Sequence, residues 1–331
     1  MIPRFRSFVA LVALAVLAAA CTGGGGDPSP SSVPSGATGS GAIDPAALVA
    51  QVASSDLYVG EPQRVNVGLY ASDPEAGVLV VTGGEIELAF APFESEGGSA
   101  AGGTARYVPT PGTDADAVAG EPTLTAPADA RGVYEVAGVM FREAGVWDVT
   151  ATFTLDGQGP FEVAATPFNV FDDPAYPAPG DAALATENLT VGSDAPVEAI
   201  DSGAATTGEI PDPELHEWTI ADALDEGRPI VALFATPAFC QSLFCGPVTE
   251  GVQELAATHG DKAVFVHVEI WRDHEGQVLN EAAADWLLRD ENLTEPWLYV
   301  IDGRGSIVDR WGPLFDPDQV GDLLAAMPDM A

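Results

Sequence analysis

The stretch Val231–Val248 reads VALFATPAFCQSLFCGPV. Together with Pro229-Ile230 before it, the run to Ala235 is continuously apolar, as expected of a strand buried on both faces. Thr236-Pro237 ends the run, because proline fixes φ and removes a backbone donor. Cys240 and Cys245 follow. From Cys245 to His259, Val248, Val252, Leu255 and Ala256 recur at helical spacing. Were both cysteines inside one regular helix, their Cα atoms would lie about 8.7 Å apart, whereas a disulfide needs less than about 7 Å. Either Cys240 precedes the helix, or the segment unwinds to oxidise. A staple that requires unwinding is a poor staple, which tilts the pair toward reactivity.

Outward from this stretch, strand and helix alternate. Leu215–Glu226 (with Thr219 inside it), Val278–Arg289 and Pro317–Met327 are expected helices. Ala263–Ile270 is a second buried strand, and Trp297–Asp302 with Ser306–Trp311 makes a hairpin around Gly303-Arg304-Gly305. A cysteine at the tip of the first central strand, the order of elements, and Pro296 in LTEPWLYVID (Leu293–Asp302) together resemble the thioredoxin superfamily. The resemblance covers roughly Leu189 to Met327. It implies an α/β thioredoxin-like fold and a cis Glu295-Pro296 bond facing the reactive cysteine. It also implies thiol–disulfide exchange, with Cys240 at a helix start as nucleophile, Cys245 resolving, and Pro296 shaping the substrate groove. A helix amino terminus would favour the Cys240 thiolate.

The pattern departs from the family in two places. The pair is Cys-x4-Cys instead of Cys-x-x-Cys, and Phe234 stands where many thioredoxins carry a buried acid. Glu269, ending the next strand, is the substitute proton acceptor, or else an ordinary strand-end carboxylate. The Cys-x4-Cys spacing and Thr236-Pro237 also resemble the peroxiredoxin Q group, which implies a peroxidase as the alternative activity. That group needs an arginine where this chain has Glu295-Pro296, and losing the cation removes electrostatic help. Copper-chaperone Sco proteins share the fold, but no histidine stands near the proline here. His267 reads as a packed core residue, and His216, His259 and His274 as surface residues. A third reading is a non-catalytic binding or scaffold protein.

Residues 46–171 have the period of strands. Val65, Val67 and Leu69 alternate with Arg64, Asn66 and Gly68, and turn signals such as Ala144-Gly145 and Asp156-Gly157 bound further runs. This predicts an antiparallel sandwich. Gly132–Phe153 resembles the end of an immunoglobulin-like domain, similar to FixH/YtkA-type exported modules, with Tyr134 and Trp147 in the core. Met140 is its one methionine and it has no histidine or cysteine, so no soft-metal site is expected there. Residues 172–188 are proline-rich, acidic and aperiodic, an interdomain linker. The expected fold class is therefore two-domain: an all-β immunoglobulin-like sandwich followed by an α/β thioredoxin-like domain over 189–331. No cofactor or metal is called for.

The amino terminus is an address. Arg4 and Arg6 precede an apolar run from Phe8 to Ala20, shorter than the roughly 20 residues a membrane-spanning helix needs. Such a pattern is an export signal. Leu17–Cys21 resembles a bacterial lipobox, which implies a lipoprotein signal peptide over 1–20 and lipidation of Cys21. The Gly/Ser/Pro tract within 21–45 is a flexible tether. These features place the mature protein at the cell membrane, lipid-anchored through Cys21 on the extracytoplasmic face. With Cys21 so used, Cys240 and Cys245 are the remaining two of the three cysteines, in a compartment where disulfides persist. Their partner would be a protein thiol or disulfide.

Composition sets the outer limits. The chain has 331 residues and is 47% hydrophobic, enough to bury real cores and exclude a disordered chain. Its 50 acidic residues against 12 basic ones give a formal charge of -38, and Lys262 is the sole lysine. Phosphate backbones and anionic headgroups would repel it, so no nucleic-acid partner is expected.

Overall fold

The structure, a computed structural model, describes residues 43–95, 100–114, 118–240 and 244–328. The expected signal peptide, Cys21 and most of the tether lie outside the described residues.

Ten strands form one antiparallel sheet. They are β1 (Leu48–Val52), β2 (Pro62–Asp73), β3 (Gly77–Thr82), β4 (Glu85–Pro92), β5 (Ala101–Pro109), β6 (Thr123–Thr125), β7 (Gly132–Met140), β8 (Gly145–Leu155), β9 (Gln158–Ala164) and β10 (Phe168–Val170). The order is β10-β8-β4-β5-β7-β2-β3-β6, with β1 added on β2 and β9 on β8. The period-two pattern explains which face turns inward. Val65, Val67 and Leu69 are buried, as are Tyr134 and Trp147. Tyr134 donates its hydroxyl to Gly83 O at 2.7 Å, so its polar end is satisfied inside the core.

The remaining elements are α1 (Val197–Ile200), α2 (Ile220–Asp225), β11 (Ile230–Ala235), α3 (Cys245–His259), β12 (Val264–Glu269), β13 (Trp271–Asp273), β14 (Val278–Leu279), α4 (Glu281–Leu287), β15 (Trp297–Ile301), β16 (Ile307–Trp311) and α5 (Pro317–Ala326). A four-stranded sheet runs β12-β11-β15-β16. β11 is parallel to β12 and antiparallel to β15. Its continuous apolar sequence is explained by burial on both faces. Val231, Leu233 and Ala235 face one core with Val248 and Val252 of α3, while Ile230, Ala232 and Phe234 face another with Trp286 of α4.

The expectation of two domains is corrected. Residues 42–331 are one compact unit. Strand accounts for 39% of the described residues and helix for 19%, so the α/β elements do not set the class. The molecule is mostly β, built on the ten-stranded sheet, and not an immunoglobulin-like sandwich followed by a separate thioredoxin-like α/β domain. The physical reason is a shared core. Val108 of β5 and Val133 of β7 pack in one cluster with Leu233, Val252, Leu314 and Phe315. Helix α3 lies so close to the chain after β5 that a Cβ on Gly251 would stand 2.8 Å from Pro111 Cγ. Ion pairs bridge the same regions: Arg64 with Asp309, and Arg106 with Asp316 at 2.7 Å.

Residues 172–188, expected as a linker, are pinned along their length. The Gly180 N–H donates to Ile307 O, Tyr176 is buried against Trp297, and Asn188 accepts from the Ile220 N–H at 2.8 Å. Two expected helices are shorter than their patterns. Thr219 sets the start of the first by capping: its hydroxyl accepts from the Asp222 N–H at 2.9 Å, so α2 begins at Ile220 and not at Leu215. In the second, Val278–Leu279 pairs with β13 as strand, and the helix begins at Glu281. His216, expected at the surface, is fully buried beside Asp201. His267 is buried as expected, whereas His274 is exposed and His259 half-buried.

Candidate active site

β11 delivers the chain to the site, and α3 leaves it. Cys240 and Cys245 are joined by a disulfide, with their Cα atoms 6.0 Å apart. Helix α3 begins at Cys245, so Cys240 precedes it, and the bond forms without unwinding any helix. This corrects the placement of Cys240 at a helix start. The two cysteines differ in exposure: Cys245 is fully buried among Val231, Leu233 and Val248, while Cys240 is partly exposed.

The Glu295-Pro296 bond is cis. A carboxylate oxygen of Glu295 and both cysteine sulfurs lie within 4.8 Å of one another. Glu295 Oε2 is buried and has no hydrogen-bond partner among the described residues. Burial, reinforced by the charge of Glu269, pushes the Glu295 carboxyl up to about 8. It therefore carries its proton at neutral pH, beside a bond whose opening creates a thiolate.

Glu269, read as a proton acceptor or an ordinary strand-end carboxylate, has both oxygens engaged by backbone. Its two oxygens accept from the backbone N–H groups of Ser202 at 2.8 Å and Trp271 at 3.1 Å. Burial raises its carboxyl above the usual range, against the pull of His267 and these donors. It anchors backbone, and Glu295 is the carboxyl at the sulfurs. Phe234 packs against Trp286 and Tyr299 on the face of β11 opposite α3. Glu295 was readable in part: it immediately precedes the proline that the resemblance put opposite the cysteine.

A cleft of about 800 Å³ opens beside the pair, between the large sheet and the loops that carry the site. Tyr70, Phe239, Phe244, Trp271, Glu295 and Pro296 line parts of it. Phe239, next to Cys240, stacks on His274 with ring centroids 4.0 Å apart, and Trp271 meets His274 edge-on. Phe239, the neighbour of Cys240, is thus held in an aromatic cluster with His274 and Trp271. Chemically, the arrangement holds one partly exposed cysteine, one buried cysteine and one protonated carboxyl. No protein-family model matches this sequence, and the comparison with curated proteins gives no match either.

Proposed function

We propose that this chain is an extracytoplasmic thiol–disulfide oxidoreductase, held at the membrane through a lipidated Cys21 and acting through Cys240 and Cys245. The observation that carries this reading is the asymmetry of the pair: Cys240 is reachable, Cys245 is buried, and the Glu295 carboxyl adjoins both. A partner thiolate attacks Cys240 Sγ, and the Cys240–Cys245 bond breaks. Its electron pair leaves on Cys245 Sγ, which takes a proton from Glu295. A second thiolate of the partner then attacks its own sulfur in the mixed disulfide and releases Cys240 as a thiolate. The partner dithiol is thereby oxidised and the pair reduced; the reverse sequence reduces a partner disulfide. Pro296 and the aromatic residues beside Cys240 form the wall against which the partner segment lies. A peroxidase fits less well, because a carboxyl stands where a peroxide would want a cation.

Two measurements test the proposal. Thiol counting by mass across thiol/disulfide buffers should give a reversible two-electron transition between roughly -120 and -270 mV, the range of working oxidoreductases. Cys245→Ser in the full chain should trap a mixed disulfide between Cys240 and a protein partner. A bond that stays closed below about -300 mV, together with an untrapped Cys240, would make the pair a structural staple and the molecule a scaffold.

A further inference from the structure

Away from the cysteines, Asp201, His216 and His267 meet in the interior, each nearly or fully shielded from solvent. Asp201 follows α1, His216 ends the short turn Pro213–His216, and His267 sits in β12, where strand alternation puts it on the same side as Phe265 and Glu269. One carboxylate oxygen, Asp201 Oδ2, faces two imidazole nitrogens. His216 Nε2 is 3.2 Å away and His267 Nδ1 is 3.4 Å away.

The hydrogen bonds around His267 fix its tautomer. Its Nε2 lies 3.1 Å from Ala235 O. A carbonyl oxygen only accepts, so Nε2 carries a proton; in the neutral ring Nδ1 then turns a bare lone pair toward the carboxylate, whereas a second proton on Nδ1 makes an imidazolium that donates to it. At 3.4 Å from the carboxylate, His267 Nδ1 has no hydrogen-bond partner among the described residues; His216 Nδ1, also without one, is not the nitrogen that faces Asp201. Buried polar atoms with no partner are rare and point to an unseen water or ion. Two acceptors facing each other in the interior require a proton or a metal cation between them.

We infer that Asp201, His216 and His267 bind one divalent transition-metal ion of the zinc class. Bonds of about 2.0–2.1 Å set at tetrahedral angles separate neighbouring ligand atoms by about 3.3 Å, which matches the two separations from Asp201 Oδ2. The three donor atoms all lie within 4.8 Å of one another. Two imidazoles and a carboxylate suit zinc, iron and cobalt, and are too hard a set for copper(I). Two of the three ligands also have the supporting contacts of a metal site: the distal N–H of His267 is held by a carbonyl, and Asp201 Oδ1 accepts from the Gly203 N–H at 2.7 Å.

The ion would brace the approach to the cysteines. Ser202, next to Asp201, accepts from the Ala238 N–H at 3.1 Å and bonds the Thr236 hydroxyl at 3.2 Å. Residues 235–238, which lead from β11 to Cys240, are therefore tied to the cluster at three points.

The test is to refold the full oxidised chain with cobalt(II) or zinc(II), since a buried site fills as the chain folds. One equivalent should remain after desalting, cobalt should give the visible absorption of a tetrahedral centre, and zinc-edge X-ray absorption should show imidazole scattering without sulfur. The Cys240→Ser/Cys245→Ser variant should keep the ion, and Asp201→Asn and His267→Gln should bind it at least tenfold more weakly. No retained metal in the wild type, sulfur in its ligand shell, or undiminished binding by a folded Asp201→Asn/His267→Gln variant would overturn the inference and leave a proton-linked pair in its place.

Discussion

Asp56→Ala will lower the stability of the chain by about 3–5 kcal/mol, the cost of breaking a buried ion pair from one side. Asp56 and Arg310 are both almost wholly buried, with Arg310 Nη2 2.8 Å from Asp56 Oδ2. The carboxylate also accepts from the Ala175 N–H at 2.9 Å and the Tyr176 N–H at 3.2 Å. The guanidinium donates to Tyr176 O and Pro177 O and lies over the Trp297 ring at 5.0 Å. Truncating Asp56 strands a buried cation and two backbone donors at once. Glu226→Ala, which removes an exposed ion pair with Arg228, should cost no more than about 1 kcal/mol. Urea denaturation of the full chain reads both. Because Asp56 precedes the second strand of the large sheet while Arg310 lies in the last strand of the small one, unfolding should remain a single transition in wild type. The double variant Asp56→Leu/Arg310→Met should recover most of the loss, since it buries no lone charge. An Asp56→Ala midpoint no lower than that of Glu226→Ala would refute the account.

The same residues mark what the sequence does and does not disclose. Alternation identified Val65, Val67 and Leu69 as inward-facing, and an unbroken apolar run identified β11, because burial leaves its period in the chain. The helix from Cys245 to His259 was legible in full, cysteine included. Periodicity says that a face is buried, but not against what. Val108 and Val133 read as ordinary strand residues, yet they pack against α3-side residues, and so two expected domains are one unit. Polar partnerships are hidden for the same reason. His216 looks like any histidine near a turn until Asp201, fifteen residues upstream, is seen at 3.2 Å. Thr219 is the instructive miss, since a threonine three residues before an acid already announces a helix start. Glu269 and Glu295 exchange their expected importance because only folding decides which carboxyl meets the sulfurs and which meets backbone amides.

Glu295→Gln will slow opening of the Cys240–Cys245 bond by about a hundredfold at neutral pH, the lower end of what a positioned general acid contributes. Glutamine keeps the volume and polarity of the side chain but has no proton to deliver. The buried Cys245 thiolate, leaving into an apolar core, then has no nearby donor. The effect carries a pH signature that a structural role would not. Burial holds the Glu295 carboxyl at about 8, so the wild type keeps its acid through neutral pH and loses it as pH rises through that value. The ratio of wild-type to Glu295→Gln rates, measured with one small thiol as reductant so that the attacking group cancels, should fall toward one above about pH 8. Stability follows the same group with a definite sign. The folded state holds a proton that the unfolded state releases above the carboxyl's ordinary value of 4.5. This contribution is complete below that pH and is lost as pH rises to about 8, so wild type should weaken over this interval relative to Glu295→Gln. A rate ratio that does not change with pH would remove Glu295 from the proton transfer, and a stability difference that does not change with pH would show that the carboxyl is not held in its neutral form.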